Sequence, residues 1–134
     1  MKQKISILLL CVMILITPSF LTPSRGLCEI DNDQYTEAIN LNNQAITLHH
    51  QHKYAEAEPL YRQSLAIKEK ELGPDHPSIA TALNNLASLL QDQGKYGEAD
   101  PLYRRALAIA EKTLGDNHPT TITIKNNIKS LRRR

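Results

Sequence analysis

Lys53-Tyr54-Ala55-Glu56-Ala57-Glu58-Pro59-Leu60-Tyr61-Arg62 returns further along the chain as Lys95-Tyr96-Gly97-Glu98-Ala99-Asp100-Pro101-Leu102-Tyr103-Arg104. The offset is 42 residues. It holds outward from this stretch without a gap: residues 41–77 laid on residues 83–119 share 23 identities in 37 positions. Gly73 and His76-Pro77 come back as Gly115 and His118-Pro119, and Thr81-Ala82-Leu83-Asn84-Asn85 begins a third copy as Thr123-Ile124-Lys125-Asn126-Asn127. A fixed period of this size marks stacked supersecondary units, each unable to bury its apolar side alone.

Within a unit the apolar spacing is helical. Ile79, Leu83, Leu86, Ala87 and Leu90 fall at i, i+4, i+7, i+8 and i+11 and form one stripe. After the short turn Gln93-Gly94-Lys95, a second stripe runs through Ala99, Leu102, Tyr103, Ala106 and Ala110. Gly73 and Gly115 stand where a helix C-terminus wants a residue tolerant of positive φ. Each unit is therefore expected to be two antiparallel helices and a linker. Small alanines let the helices approach closely, with Tyr61 and Tyr103 filling the larger gaps. The chain has no tryptophan and one phenylalanine, Phe20, so this core must be built from Leu, Ile, Ala and Tyr. That composition suits helix–helix packing better than a sheet sandwich.

The order Leu83, Leu86, Ala87, Leu90, Tyr96, Ala99, Tyr103, Ala106, closed by Gly-x-x-His-Pro, resembles the tetratricopeptide repeat. More narrowly it resembles the lengthened variety found in kinesin light chains and many bacterial proteins. The resemblance covers residue 34 to the end and implies an all-α fold: two helical hairpins and a C-terminal capping helix in a short right-handed solenoid. The units are expected at about residues 37–78 and 79–120, with the cap at about 120–133, inside a repeat domain of residues 34–134. Some positions depart from the pattern. Gln44 replaces the second leucine in the first unit, Ser64 stands where Ala106 does, and Lys125 and Lys129 take the places of Leu83 and Ala87. Charge on the outer sides of a terminal helix suits a cap, which needs one buried face only.

Ahead of the repeats, Lys2 and Lys4 precede an apolar run over residues 5–16 that only Ser6 interrupts; Pro23 and Gly26 follow. That run is short for a membrane span, which needs about 20 residues, and fits the core of a signal peptide. Residues 1–26 are expected to be a signal peptide and 27–33 a linker, placing the mature chain in the periplasm or outside the cell. The alternative is an uncleaved anchor, the one route to a membrane association. Cys11 lies within the apolar run, so the mature chain keeps at most Cys28 and no internal disulfide. Net charge is +2, and removing Lys2, Lys4 and Arg25 leaves −1, which points to no nucleic-acid partner.

No nucleophile elbow, phosphate loop or thiol occurs in the repeats, so an enzyme and a cofactor are not expected. Glu56, Glu58, Glu98 and Asp100 occupy the first turns of second helices, where acids complement the helix dipole. His49, His50 and His52 form the one histidine cluster. His49 and His52 would share a helix face, yet no third ligand accompanies them, and a helix C-terminus accounts for their position. His76 and His118 recur with the linker and are expected to stabilise turns. The asparagine pairs Asn42-Asn43, Asn84-Asn85 and Asn126-Asn127 are different, because asparagine is a mediocre helix former and the apolar stripe does not demand it. One reading makes them interhelical hydrogen-bonding residues. The resemblance implies another, since in that family first helices line a concave face and an asparagine there contacts the backbone of a bound peptide. On that reading the peptide-binding residues are Asn43, Asn84, Asn85, Ser88, Gln91, Asp92 and Asn127. The function expected is an exported module that holds a peptide segment of a partner protein. The alternative is a structural protomer that self-associates to extend the solenoid as a homo-oligomer.

Overall fold

The computed structural model describes residues 32–134; the expectations for the signal segment, its cleavage and Cys28 fall outside them. Five helices follow one another: α1 (Asn32–His50), α2 (Tyr54–Leu72), α3 (Pro77–Asp92), α4 (Tyr96–Leu114) and α5 (Pro119–Leu131). The described residues carry helices and turns and no strand. Helices α1 and α2 pair as one hairpin and α3 and α4 as a second, α3 rests on α2, and α5 rests on α4. The all-α solenoid of two hairpins and a cap is what the repeat predicted. Helix α1 starts at Asn32, inside the stretch read as a linker, and the Thr36 hydroxyl closes its first turn by donating to the Asn32 carbonyl at 2.6 Å.

The repeated linker explains where the helices stop and start. Gly73 and Gly115 sit at φ +84° and +87°, and their amides return to the carbonyls of Glu69 and Ala110. Three residues on, His76 and His118 act as helix N-caps: the imidazole Nδ1 accepts the amide N–H of Ser78 at 3.1 Å and of Thr120 at 3.2 Å. Pro77 and Pro119 then occupy the first helical position, where a missing N–H leaves nothing unsatisfied. The histidines of the linker are thus structural, as their recurrence suggested.

One core runs through the two hairpins and the cap. Ala57 and Tyr61 of α2, Ile79, Leu83, Leu86, Ala87, Leu89 and Leu90 of α3, and Ala99, Tyr103 and Ala106 of α4 are buried together, with Ile124 and Ile128 closing the α5 side. The departures from the repeat have separate outcomes. Ser64 is buried and its hydroxyl donates to the Ala38 carbonyl at 2.6 Å, joining α2 to α1 where the second unit has an alanine. Lys68 stands where Ala110 does, and burial of its side chain pushes its pKa down from the usual lysine value.

The two ends of the stack are polar for different reasons. On α3, Ile79, Ala82, Leu86 and Leu89 are buried; the same positions on α1 are Glu37, Asn40, Gln44 and Thr47, all exposed. Lys125 and Lys129 on α5, and Arg132 at its C-cap, take the places of the buried Leu83, Ala87 and Leu90. A helix pressed on either face would strip these charges and amides of water, at several kcal/mol for each ion.

Ion pairs tie each unit to the next. Lys95 meets Glu58 at 3.0 Å, Arg105 meets Glu69 at 2.7 Å, Lys112 meets Asp75 at 3.3 Å, and Lys125 meets both Glu111 and Asp116 at 3.0 Å. Glu58 also pairs with Arg62 one turn on; against the opposing effect of burial, these partners draw its carboxyl below the usual range. Exposed pairs contribute about 0–1 kcal/mol each, so their part is to favour one register rather than to hold the stack.

Candidate functional site

The first helices α1, α3 and α5 form a continuous row, each touching the next. Along α1, Ile39, Asn42, Asn43, Ile46, His49 and His50 recur at spacings of three and four, so they share one face. Its counterparts are Asn84, Asn85, Ser88, Gln91 and Asp92 on α3 and Asn127 and Ser130 on α5. The residues expected to bind a peptide therefore belong to one surface strip, although several are already committed to one another.

Asn127 Nδ2 donates to Asn84 Oδ1 at 2.9 Å, linking α5 to α3. Gln91 is engaged at both ends of its amide. Its Oε1 accepts the Tyr103 hydroxyl at 3.0 Å, and its Nε2 donates to Ser130 Oγ at 3.1 Å. Ser130 in turn donates to the Asn127 carbonyl. A chain of polar contacts thus runs from α4 through α3 to α5. Burial pushes the Tyr103 phenol up to about 12; the Ser88 hydroxyl beside it pulls the other way, and the Asp92 carboxylate adds to the rise. Burial raises the Tyr61 phenol to about 12 as well.

At the α1 end, His49 Nε2 donates to Asp92 Oδ2 at 2.8 Å, bridging the first and second units. The His49 ring lies edge-on to Tyr54 and Tyr61, with centroids 5.7 and 6.2 Å away. His52 does not share its helix face. Helix α1 ends at His50, and His52 sits in the following turn at φ +60°, where the second unit has Gly94 at +77°, hydrogen-bonded to the Tyr54 hydroxyl. Among the described residues no three of His, Cys, Asp and Glu are grouped to hold a metal ion, and no helix is long and apolar enough to cross a membrane.

Among the described residues three amides of the strip, those of Asn42, Asn43 and Asn85, remain unengaged. Asn43 is exposed and Asn85 half-buried, and no hydrogen bond among the described residues uses either side chain. The expected set left out Asn42, whose Oδ1 is buried and has no hydrogen-bond partner. It also left out Ser130. Both were visible as neighbours in the repeat: Asn42 precedes Asn43 as Asn84 precedes Asn85, and Ser130 stands where Ser88 does.

A sequence model of the tetratricopeptide repeat matches residues 35–112 and again 78–134. Among solved structures, the chain is similar to the crystal structure of BtubC (BKLC) from P. vanneervenii, with a TM-score of 0.67 and 21% identity. That similarity covers 72% of this chain and 38% of the other, so the chain spans less than half of that protein's length. At this identity the likeness concerns the fold alone. No curated protein matches the chain.

Proposed function

Because this chain belongs to the tetratricopeptide-repeat family, whose repeats generally mediate protein–protein interactions, we propose that it holds an extended segment of a partner protein along the α1–α3–α5 strip. The unengaged amides carry this reading. A side-chain amide has a donor and an acceptor, so Asn43 and Asn85 offer to a peptide bond the two groups it needs. Ser88 and Asp92 flank them on α3 and supply the side-chain contacts by which one segment is chosen over another. The polar outward faces of α1 and α5 weigh against the reading in which copies stack end to end, since stacking would strip Glu37, Gln44, Lys129 and Arg132 of water.

Each amide contact contributes about 0.5–1.5 kcal/mol net, so losing one is expected to weaken binding several-fold. The probe is a 12-residue peptide selected from a random-sequence library on the wild-type protein. Asn85→Ala is expected to reduce affinity for it several-fold while the melting temperature stays within a degree or two. A variant that keeps its affinity and melts several degrees lower would make Asn85 a packing residue and move the binding face elsewhere.

We further propose that the partner is met outside the cytoplasm, on the strength of the basic start and short apolar run of residues 1–26. Intact-mass measurement of the protein from its native host is expected to find a chain starting between residues 27 and 31. Recovery of a species that retains Met1 would make the segment an anchor instead.

A further inference from the structure

Charge is divided unevenly along the stack. Residues 32–118 carry twelve acids and eight bases, a balance of −4, whereas residues 119–134 carry Lys125, Lys129, Arg132, Arg133 and Arg134 and no acid. The cap is thus positive and the two hairpins negative. Lys125 is neutralised locally, since Glu111 and Asp116 each lie 3.0 Å from its ammonium. Lys129 and the three arginines are exposed, and none of them meets a carboxylate among the described residues. Ile122, Lys125, Lys129 and Arg132 follow at spacings of three, four and three, so they share one face of α5 and its C-cap. Their counterparts on α3 are Ala80, Leu83, Ala87 and Leu90, all buried; Ile122 is instead 46% exposed.

We propose that this end of the stack is a docking surface for the anionic headgroups of a phospholipid bilayer, with Lys129, Arg132, Arg133 and Arg134 supplying the attraction and Ile122 entering the apolar edge of the headgroup layer. A protein helix is a poor occupant, because seating one on this face strips the cations of water. A headgroup layer leaves them hydrated and still attracts them, by about fivefold in partitioning for each lysine or arginine near the surface. The division of charge also sets the pose. An anionic surface draws the cap and repels the hairpins, so the molecule stands on α5 with α1 outermost. Nucleic acid would use the same cations, yet single strands are held by bases stacked on aromatic rings, and residues 119–134 contain none. An exposed isoleucine in line with cations suits the boundary between headgroup and acyl chain. No helix among the described residues is long and apolar enough to cross a bilayer, so this contact is peripheral. It gives the folded domain a route to a membrane apart from residues 1–26.

The test is partition of the full chain onto vesicles at about 0.1 M salt, where charges interact over about 10 Å. Vesicles of equal parts phosphatidylglycerol and phosphatidylcholine are set against phosphatidylcholine alone. Residues 1–26 can enter either kind, so the quantity read is the preference for the anionic one, compared between variants that share this segment. Arg132→Gln, Arg133→Gln and Arg134→Gln together are expected to lower that preference on the order of a hundredfold and to leave the melting temperature within a degree or two. Lys53→Gln, Lys70→Gln and Lys112→Gln together remove the same charge from the hairpins and are expected to leave the preference nearly unchanged. Ile122→Ser is expected to weaken partition onto the anionic vesicles several-fold. An undiminished preference in the arginine variant overturns the docking surface. So does an equal loss in the lysine variant, which would make the attraction one of net charge. Unchanged partition of Ile122→Ser would remove the apolar contact. Binding of the wild type to mixed-sequence duplex DNA at the same salt, with no preference between the two vesicles, would make the cap a nucleic-acid surface instead.

Discussion

Tyr103→Ala is expected to remove about 3–5 kcal/mol of stability, the range for emptying a buried aromatic site. Tyr103 is 1% exposed on α4, within the cluster formed with α3 and α5, so no neighbour can be replaced by water without leaving a cavity. Its hydroxyl also supports the polar chain through Gln91 to Ser130, a hydrogen-bonded contact that adds to the packing of α4 on the first helices. Domains of this size hold roughly 5–15 kcal/mol in all, and each kcal/mol moves the midpoint by about 4–8 °C. The variant should therefore melt well over 10 °C below the wild type, or fail to fold at growth temperature. Tyr103→Phe divides the effect. It keeps the ring and leaves Gln91 Oε1 without its donor, for about 1–3 kcal/mol. A midpoint within 5 °C of the wild type for Tyr103→Ala would mean that the site collapses freely and that the core does not depend on this ring.

High pH is expected to destabilise the domain through its two buried phenols. Burial holds both Tyr61 and Tyr103 up at about 12, against about 10 for a tyrosine in an unfolded chain. A raised acid is protonated in the fold when it is already ionised in the open chain. Its contribution is thus complete below pH 10 and is lost as pH climbs from about 10 to 12. Each tyrosine is expected to contribute about 2 kcal/mol on this account, at the usual 1.4 kcal/mol per pKa unit and allowing for partial relaxation. Lys68 acts in the opposite sense. Its pKa is lowered by burial, so the fold gains stability as pH rises through that lowered value and stops gaining near 10.4, where the free side chain titrates. The stability curve should rise into the mildly alkaline range and then drop steeply above pH 10. The share of the near-ultraviolet tyrosinate band that belongs to Tyr61 and Tyr103, two of the five tyrosines, should appear together with the loss of helical circular dichroism. Lys68→Met should flatten the rise and leave the drop. A tyrosinate band of all five tyrosines with the helices intact would show that the phenols of Tyr61 and Tyr103 reach solvent in the folded state.

The 42-residue register, read from residues without any coordinates, determined the helical hairpins, the capping helix and the strip on which the asparagines lie. It did so because a stripe at 3.6-residue spacing and a glycine-histidine-proline linker are local properties, which the chain states twice, once in each unit. The amphipathic content of α3 and α4 was equally legible. The partners within the strip were not. Which face Asn84, Gln91 and Asp92 occupy follows from spacing; that Asn84 is met by Asn127, Gln91 by Tyr103 and Ser130, and Asp92 by His49 follows from how far one first helix is displaced along the next. That displacement is set by packing across the whole interface, to which no single residue contributes enough to be recognised in advance. The same holds for the first helix. Gln44 looked like one weak position in the repeat. Only with α3 seated on α2 does it become clear that Glu37, Asn40, Gln44 and Thr47 together form the face left without a preceding second helix among the described residues. A side chain's place on its helix is a local matter, whereas its burial depends on whether another helix arrives to cover it.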